Sequence, residues 1–63
     1  MHIEVFFVDP RNGWAAAQYD ATGQVGDAAY HYRKADALRD AQRHDLPIRV
    51  FGTNGQLQRE ITP

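Results

Sequence analysis

The stretch DPRNG at residues 9–13 largely decides the fold, because it separates two runs of residues that have the pattern of strands. Pro10 presets φ for the first position of a turn, and Gly13 readily adopts the left-handed conformation that closes one. The run before it, residues 3–8, carries apolar side chains at every second position. The run after it, residues 14–19, begins and ends with an aromatic side chain. The stretch therefore predicts a β-hairpin.

The second run contains three successive alanines, which on propensity alone would suit a helix. It is only about six residues long and leaves a hairpin turn directly, so a strand is the better interpretation. Residues 20–24 have the composition of a further turn. A third strand is then predicted at residues 28–32, from the weaker alternation that places Tyr30 and Tyr32 on one face.

A second Asn-Gly pair, Asn54-Gly55, predicts another hairpin near the other end of the chain. It lies between strand-like runs at Ile48–Phe51 and at residues 56–61. Alternation along the last run predicts that Leu57 shares a face with Ile61.

Residues 33–44 form an amphipathic helix on the sequence pattern. At about 100° per residue, one side collects small and apolar residues and the other side charged ones. The apolar side carries Ala37, Leu38 and Ala41, and the charged side carries Asp36, Arg39, Asp40 and Arg43. The residue before Pro47 is biased away from helical geometry, so the helix ends before it.

The predicted order is strand, strand, strand, helix, strand, strand. It indicates a single α+β domain over residues 1–63, in which a small antiparallel sheet (β-β-β-α-β-β) has one helix packed on one face.

Composition predicts a thin core. Of the 27 hydrophobic residues in this 63-residue chain, nine are alanine, and no cysteine is present to form a disulfide. Domains of this size are marginally stable and often gain from a partner subunit. A homodimer or another protein partner is therefore expected.

Net charge and hydropathy indicate which partners and which cellular location to expect. The net charge is −1 and the sequence pI is about 6.2, which disfavours a general nucleic-acid binder. No run approaches the ~20 apolar residues of a membrane span. The first residues resemble a strand rather than a signal segment, so no membrane association and a cytoplasmic location are expected.

Trp14 opens a strand just after a glycine turn, and it is followed by KADA at residues 34–37 with Ala41, IRVF at residues 48–51 and GQLQRE at residues 55–60. This arrangement, from Trp14 to Glu60, resembles a family of small bacterial proteins known only as domain of unknown function 2188. Arg33 stands where that family favours a threonine cap, and Ala16 stands where it favours valine. The resemblance implies the same architecture and a bacterial cytoplasmic protein, and it implies no activity.

Few residues are available for catalysis or metal binding. The chain has no serine and no cysteine, and its three histidines, His2, His31 and His44, are 29 and 13 residues apart. A nucleophile needs an oriented base, and zinc needs about four converging ligands. We therefore expect no catalytic residue, no metal site and no cofactor, hence a protein that is not an enzyme.

The remaining interpretation is a binding or self-association module. The first strand carries apolar side chains on both faces, more than a helix with a small apolar stripe can cover. Phe6, Trp14 and Tyr19 are the candidate residues of an interaction surface.

Nucleic-acid binding is the alternative. Residues 33–49 have five basic and three acidic side chains, and aromatic residues of the sheet are able to stack on bases. In this alternative the contacts come from Lys34, Arg39 and Arg43. The alternating charge of the helix is equally typical of a solvated surface.

Overall fold

The computed structural model describes all residues, 1–63, and its elements follow the predicted order. They are β1 (His2–Asp9), β2 (Gly13–Asp20), β3 (Gly23–His31), α1 (Lys34–Gln42), β4 (Ile48–Phe51) and β5 (Leu57–Ile61). Most boundaries lie within two residues of those predicted. The exception is β3, which begins at Gly23 rather than at residue 28. No helix is long and apolar enough to cross a membrane.

The five strands form one mixed sheet in the order β3-β2-β1-β4-β5. The prediction of an antiparallel sheet is wrong for one pair, because β1 and β4 run parallel, with Ile3 opposite Ile48 and Val5 opposite Val50. The other neighbours are antiparallel. Short turns reverse the chain within each hairpin, whereas α1 carries it back over the sheet, so that β4 runs in the same direction as β1.

The core lies between α1 and one face of the sheet. Its buried cluster consists of Ile3, Val5, Ala16, Ala37, Ala41, Ile48 and Val50. Ala37 and Ala41 have no exposed surface, which confirms the predicted apolar side of the helix. Because these side chains are small, the helix axis approaches the sheet closely. Ile3 and Val5 are the largest side chains that are fully buried, so the core is thin.

The first turn has the glycine geometry that the sequence predicts. Gly13 has a φ of 77°, and the Asp9 carboxylate accepts a hydrogen bond of 2.7 Å from the backbone N–H of Asn12. Asn12 itself does not adopt positive φ. The second pair behaves in the same way, with a φ of 79° at Gly55 alone. In both pairs the glycine supplies the left-handed conformation and the asparagine joins the hydrogen bonds of the turn, since Oδ1 of Asn54 accepts a hydrogen bond of 3.1 Å from the backbone N–H of Gln56.

The helix begins without a side-chain cap. Arg33 has an extended backbone and its side chain makes no hydrogen bond to the first turn of α1. At the other end, Asp45 has a φ of 55° before Leu46 and Pro47. The short helix is therefore held mainly by its packing on the sheet rather than by its ends.

Candidate interaction surface

One face of the sheet is covered by α1, and no element of the chain lies on the other. In β1, Ile3 and Val5 face the helix, so the residues between and beside them face away from it. The pairing of the strands extends this assignment across the sheet. We call the uncovered side the open sheet face.

An apolar row crosses the open sheet face from one edge to the other. It consists of Tyr30, Ala15, Phe6, Phe51 and Leu57, one residue from each strand. Ala15 lies opposite both Phe6 and Tyr30, and Phe51 lies opposite Leu57. The parallel register of β1 and β4 places Phe6 beside Phe51, one step beyond the pair Val5 and Val50.

The apolar row is partly exposed to solvent. Tyr30 is 62 % exposed and Leu57 is 49 % exposed, whereas Phe6 and Phe51 are half-buried. Ala15 has no exposed surface although the helix lies on the other side of the sheet. Its flanking neighbours in the row are large, and they shield it from water.

A charged row lies beside the apolar row. Glu4 is opposite Arg49 in the β1–β4 pair, and Arg49 is opposite Glu60 in the β4–β5 pair. The Nε atom of Arg49 is 3.5 Å from Oε1 of Glu60. Both signs of charge therefore alternate across three strands of the open sheet face.

His2 and Tyr19 close the end of this face. Their rings stack with centroids 5.6 Å apart, and Nε2 of His2 is 2.8 Å from Oε2 of Glu4. Burial, and secondly the negative charge of Glu4, raise the pKa of the Tyr19 phenol above its ordinary value. Tyr19 is therefore neutral near pH 7 and available for apolar contacts.

Two of the three predicted interaction residues meet on one surface. Phe6 and Tyr19 lie on the open sheet face, both half-buried. Trp14 lies on the helix side, where it packs against the core and meets the Phe7 ring edge-on at 5.3 Å. The signal for this separation was in the sequence, since Trp14 and Tyr19 are an odd number of residues apart on one strand.

The structure adds Leu57 to the surface, against the predicted face of the last strand. Ile61 lies opposite Ile48 on the helix side, whereas Leu57 lies opposite Phe51 on the open side. The register shifts between Val50 and Phe51, and this irregularity changes the face of the residues beyond it. No pattern in the sequence marks that shift.

The cations of the nucleic-acid alternative lie on the other side of the molecule from the apolar row. Lys34, Arg39 and Arg43 are in or next to α1. Nη1 of Arg39 is 3.6 Å from Oδ1 of Asp36. The two residues are three apart on the helix, a separation typical of ion pairs on a solvated face. The structure therefore does not bring these cations together with the exposed ring of Tyr30.

The helix and β3 form a shallow polar concavity of about 370 Å³, lined by His31, Asp36, Arg39, Asp40 and Arg43. Nε2 of His31 is 2.9 Å from Oδ2 of Asp40, and this pair ties β3 to the helix. No group of three or more His, Cys, Asp or Glu side chains is placed to hold a metal ion.

Fold and surface together define a small α+β domain with one uncovered sheet face. Comparison with family models, with curated proteins and with solved structures finds no match. The resemblance of residues 14–60 to a bacterial family remains a prediction, and the open sheet face is the main guide to function.

Proposed function

We propose that this chain is a non-enzymatic self-association module in which two copies pack their open sheet faces together. The observation that carries the proposal is the apolar row, which crosses all five strands and is left uncovered by the chain itself. Exposed apolar surface on a small domain often marks an interface.

The size of the surface is consistent with this function. The molecule measures 28 × 22 × 20 Å along its principal axes. The strands lie about 4.8 Å apart and are four to nine residues long. At about 3.3 Å per residue the sheet face covers about 540 Å². Two such faces would bury about 1,100 Å², just above the roughly 1,000 Å² that a biological interface should exceed.

The small number of buried residues is a thermodynamic reason for self-association. Only 11 of 63 residues are buried, and none of the phenylalanine or tyrosine side chains is among them. Covering apolar surface contributes about 25 cal/mol per Å², so pairing the faces adds the burial that one copy lacks. A second copy would thereby stabilise the fold as well as fill the surface.

The charged row supports a partner of the same kind. Glu4, Arg49 and Glu60 present both signs of charge, so a two-fold arrangement can place Arg49 of each copy near a carboxylate of the other. Charges arranged in this way fix orientation and register more than they add affinity.

Sedimentation at several concentrations, up to high micromolar, tests the proposal. We expect a dimer that Leu57→Asp converts to a monomer, because the new charge would be buried unpaired at the interface. Val25→Asp is the matched control, since Val25 is 40 % exposed on the opposite side of the other edge strand. A monomer at every concentration, or equal weakening by both variants, would overturn the proposal.

The setting we propose, a bacterial cytoplasmic protein, rests on the family resemblance of the sequence. Fractionation of cells that express the protein tests it directly. Recovery outside the cytoplasmic fraction would contradict it without affecting the proposed interface.

A second candidate function is the binding of single-stranded nucleic acid. Tyr30 and Tyr32 are 62 % and 77 % exposed, and Arg33 follows them directly. Such side chains can stack on bases and contact phosphates. Salt-dependent binding of a mixed oligonucleotide, weakened by substitution of Tyr30, Tyr32 or Arg33, would favour this candidate. Absence of binding at low salt would exclude it.

A further inference from the structure

A groove runs between α1 and β5 on the helix side of the sheet, and its cause is geometric. The body of the helix packs against β1, β2, β3 and β4, and only the side chain of Lys34, its first residue, reaches β5. Five strands span about 19 Å, whereas a helix with its side chains is about 10–12 Å wide. One edge of the sheet is therefore left beside the helix rather than under it. We call this space the α1–β5 groove.

The groove is the largest concavity of the molecule, at about 470 Å³. It is lined by Lys34, Ala35, Leu38, Val50, Gln58 and Arg59. Val50 and Leu38 belong to the core or pack against it, so they form an apolar floor. A concave site with an apolar floor and a few polar groups is the usual form of a small-molecule site.

The rim of the groove is cationic. Lys34 and Arg59 are its only charged lining residues, and neither forms an ion pair with a carboxylate. The Lys34 ammonium lies 5.1 Å from the centre of the Trp14 ring and donates a hydrogen bond to the side chain of Gln58. The ring and the amide hold this cation at the mouth of the groove. The local charge is +2 in a chain whose net charge is −1.

We propose that the α1–β5 groove binds an aliphatic carboxylate. The hydrocarbon chain would lie on Leu38 and Val50, and the carboxylate would accept hydrogen bonds from Lys34 and Arg59. Charge complementarity carries the choice of ligand, because a cationic rim without a carboxylate favours an anion and the floor favours an apolar tail. The groove lies on the opposite side of the sheet from the open sheet face, so binding is independent of self-association.

Nuclear magnetic resonance titration of the full chain with octanoate tests the proposal. We expect amide shifts at groove residues, and much weaker effects from acetate, which lacks the tail, and from octylamine, which has the opposite charge. Fluorescence of Trp14, the single tryptophan, should change in parallel as Lys34 moves toward the ligand. Binding should weaken as salt is added.

Variants locate the site. Lys34→Gln and Arg59→Gln should each weaken octanoate binding about two- to fivefold, as expected for an exposed charge contact worth up to ~1 kcal/mol. Arg11→Gln is the matched control, because Arg11 is exposed in the turn between β1 and β2 and should leave the affinity unchanged. Equal binding of octylamine, equal loss in the Arg11 variant, or shifts centred on Phe6 and Phe51 would overturn the proposal.

Discussion

Gly13 lies directly against the carbonyl group of His31. A Cβ atom at Gly13 would be 2.4 Å from that oxygen and 2.8 Å from Cα of Tyr32, closer than real Cβ atoms approach. The same residue has a φ of 77°. Two independent constraints, the turn of the first hairpin and the approach of the end of β3, therefore select glycine at this position.

Gly55 provides a comparison, since it has a φ of 79° but open space where a Cβ would stand. We expect Gly55→Ala to lower the free energy of unfolding by about 1–2 kcal/mol, the cost of left-handed backbone in an L-residue. Gly13→Ala should cost more, about 3 kcal/mol or above, because the clash adds to that strain. Urea unfolding of both variants measures the difference, and equal losses would show that the close approach to β3 is unimportant.

The hairpins were predictable because their signals are local. Turn residues and alternation lie within about fifteen residues for each hairpin, and both glycines have the expected conformation. The parallel pairing of β1 with β4 joins residues that are 45 apart, such as Ile3 and Ile48, and no local pattern records it. The first half of β3 was missed for a related reason. It is polar, contains Gly26 with a φ of 70°, and is held by pairing with β2 rather than by its own composition.

The alanines of the helix set its distance from the sheet. Ala37 has no exposed surface and belongs to the core cluster, so Ala37→Leu must displace the helix or strain its neighbours. We expect a loss of about 1–3 kcal/mol in the free energy of unfolding. Ala35→Leu, at an exposed position of the same helix, is the matched control and should change stability by about 0.5 kcal/mol or less. Similar losses in thermal melts would mean that the helix does not pack as closely as the structure indicates.

Acid should lower the stability of the fold by protonating the aspartates of the first two turns, Asp9 and Asp20. Hydrogen bonds from the backbone and side chain of Asn12 lower the pKa of Asp9, and hydrogen bonds from the side chain and backbone of Thr22 lower that of Asp20. A lowered pKa in the folded state contributes stability above the unfolded pKa, near 3.9, and that contribution is lost as the pH falls through the folded value.

Asp9→Asn and Asp20→Asn should therefore reduce the acid-dependent loss of stability below about pH 4. Urea unfolding at several pH values measures it, and Asp27→Asn is a control because Asp27 makes no side-chain hydrogen bond. An acid dependence that is unchanged in both turn variants would contradict the hydrogen-bonded role of these carboxylates.

The candidate surface was less accessible to sequence reasoning than the fold. Phe6 and Tyr19 were identified from the size of their side chains. The sheet face on which each side chain lies, and its exposure to solvent, depend on how the strands pair. Trp14 has the largest aromatic side chain and lies on the helix side, where Phe7 and Lys34 contact its ring. Leu57 reaches the open sheet face only through a shift in register. Large apolar residues in a small sheet indicate that a surface exists, and the strand register decides which of them form it.

Alkaline pH should dissociate the proposed dimer through Tyr19. Burial and the charge of Glu4 already raise the pKa of this phenol, and pairing of two open sheet faces would bury it further. A pKa that association raises above its value in the folded monomer stabilises the dimer at pH values below that monomer value, which itself lies above the ordinary value near 10. This contribution is lost as the pH rises from the monomer value through the value in the dimer. Sedimentation across this range, with folding followed by circular dichroism, should show dissociation before unfolding.

Tyr19→Phe should remove the alkaline step, whereas Tyr32→Phe, at a position 77 % exposed, should retain it. A step that persists in the Tyr19 variant would show that this side chain lies outside the interface.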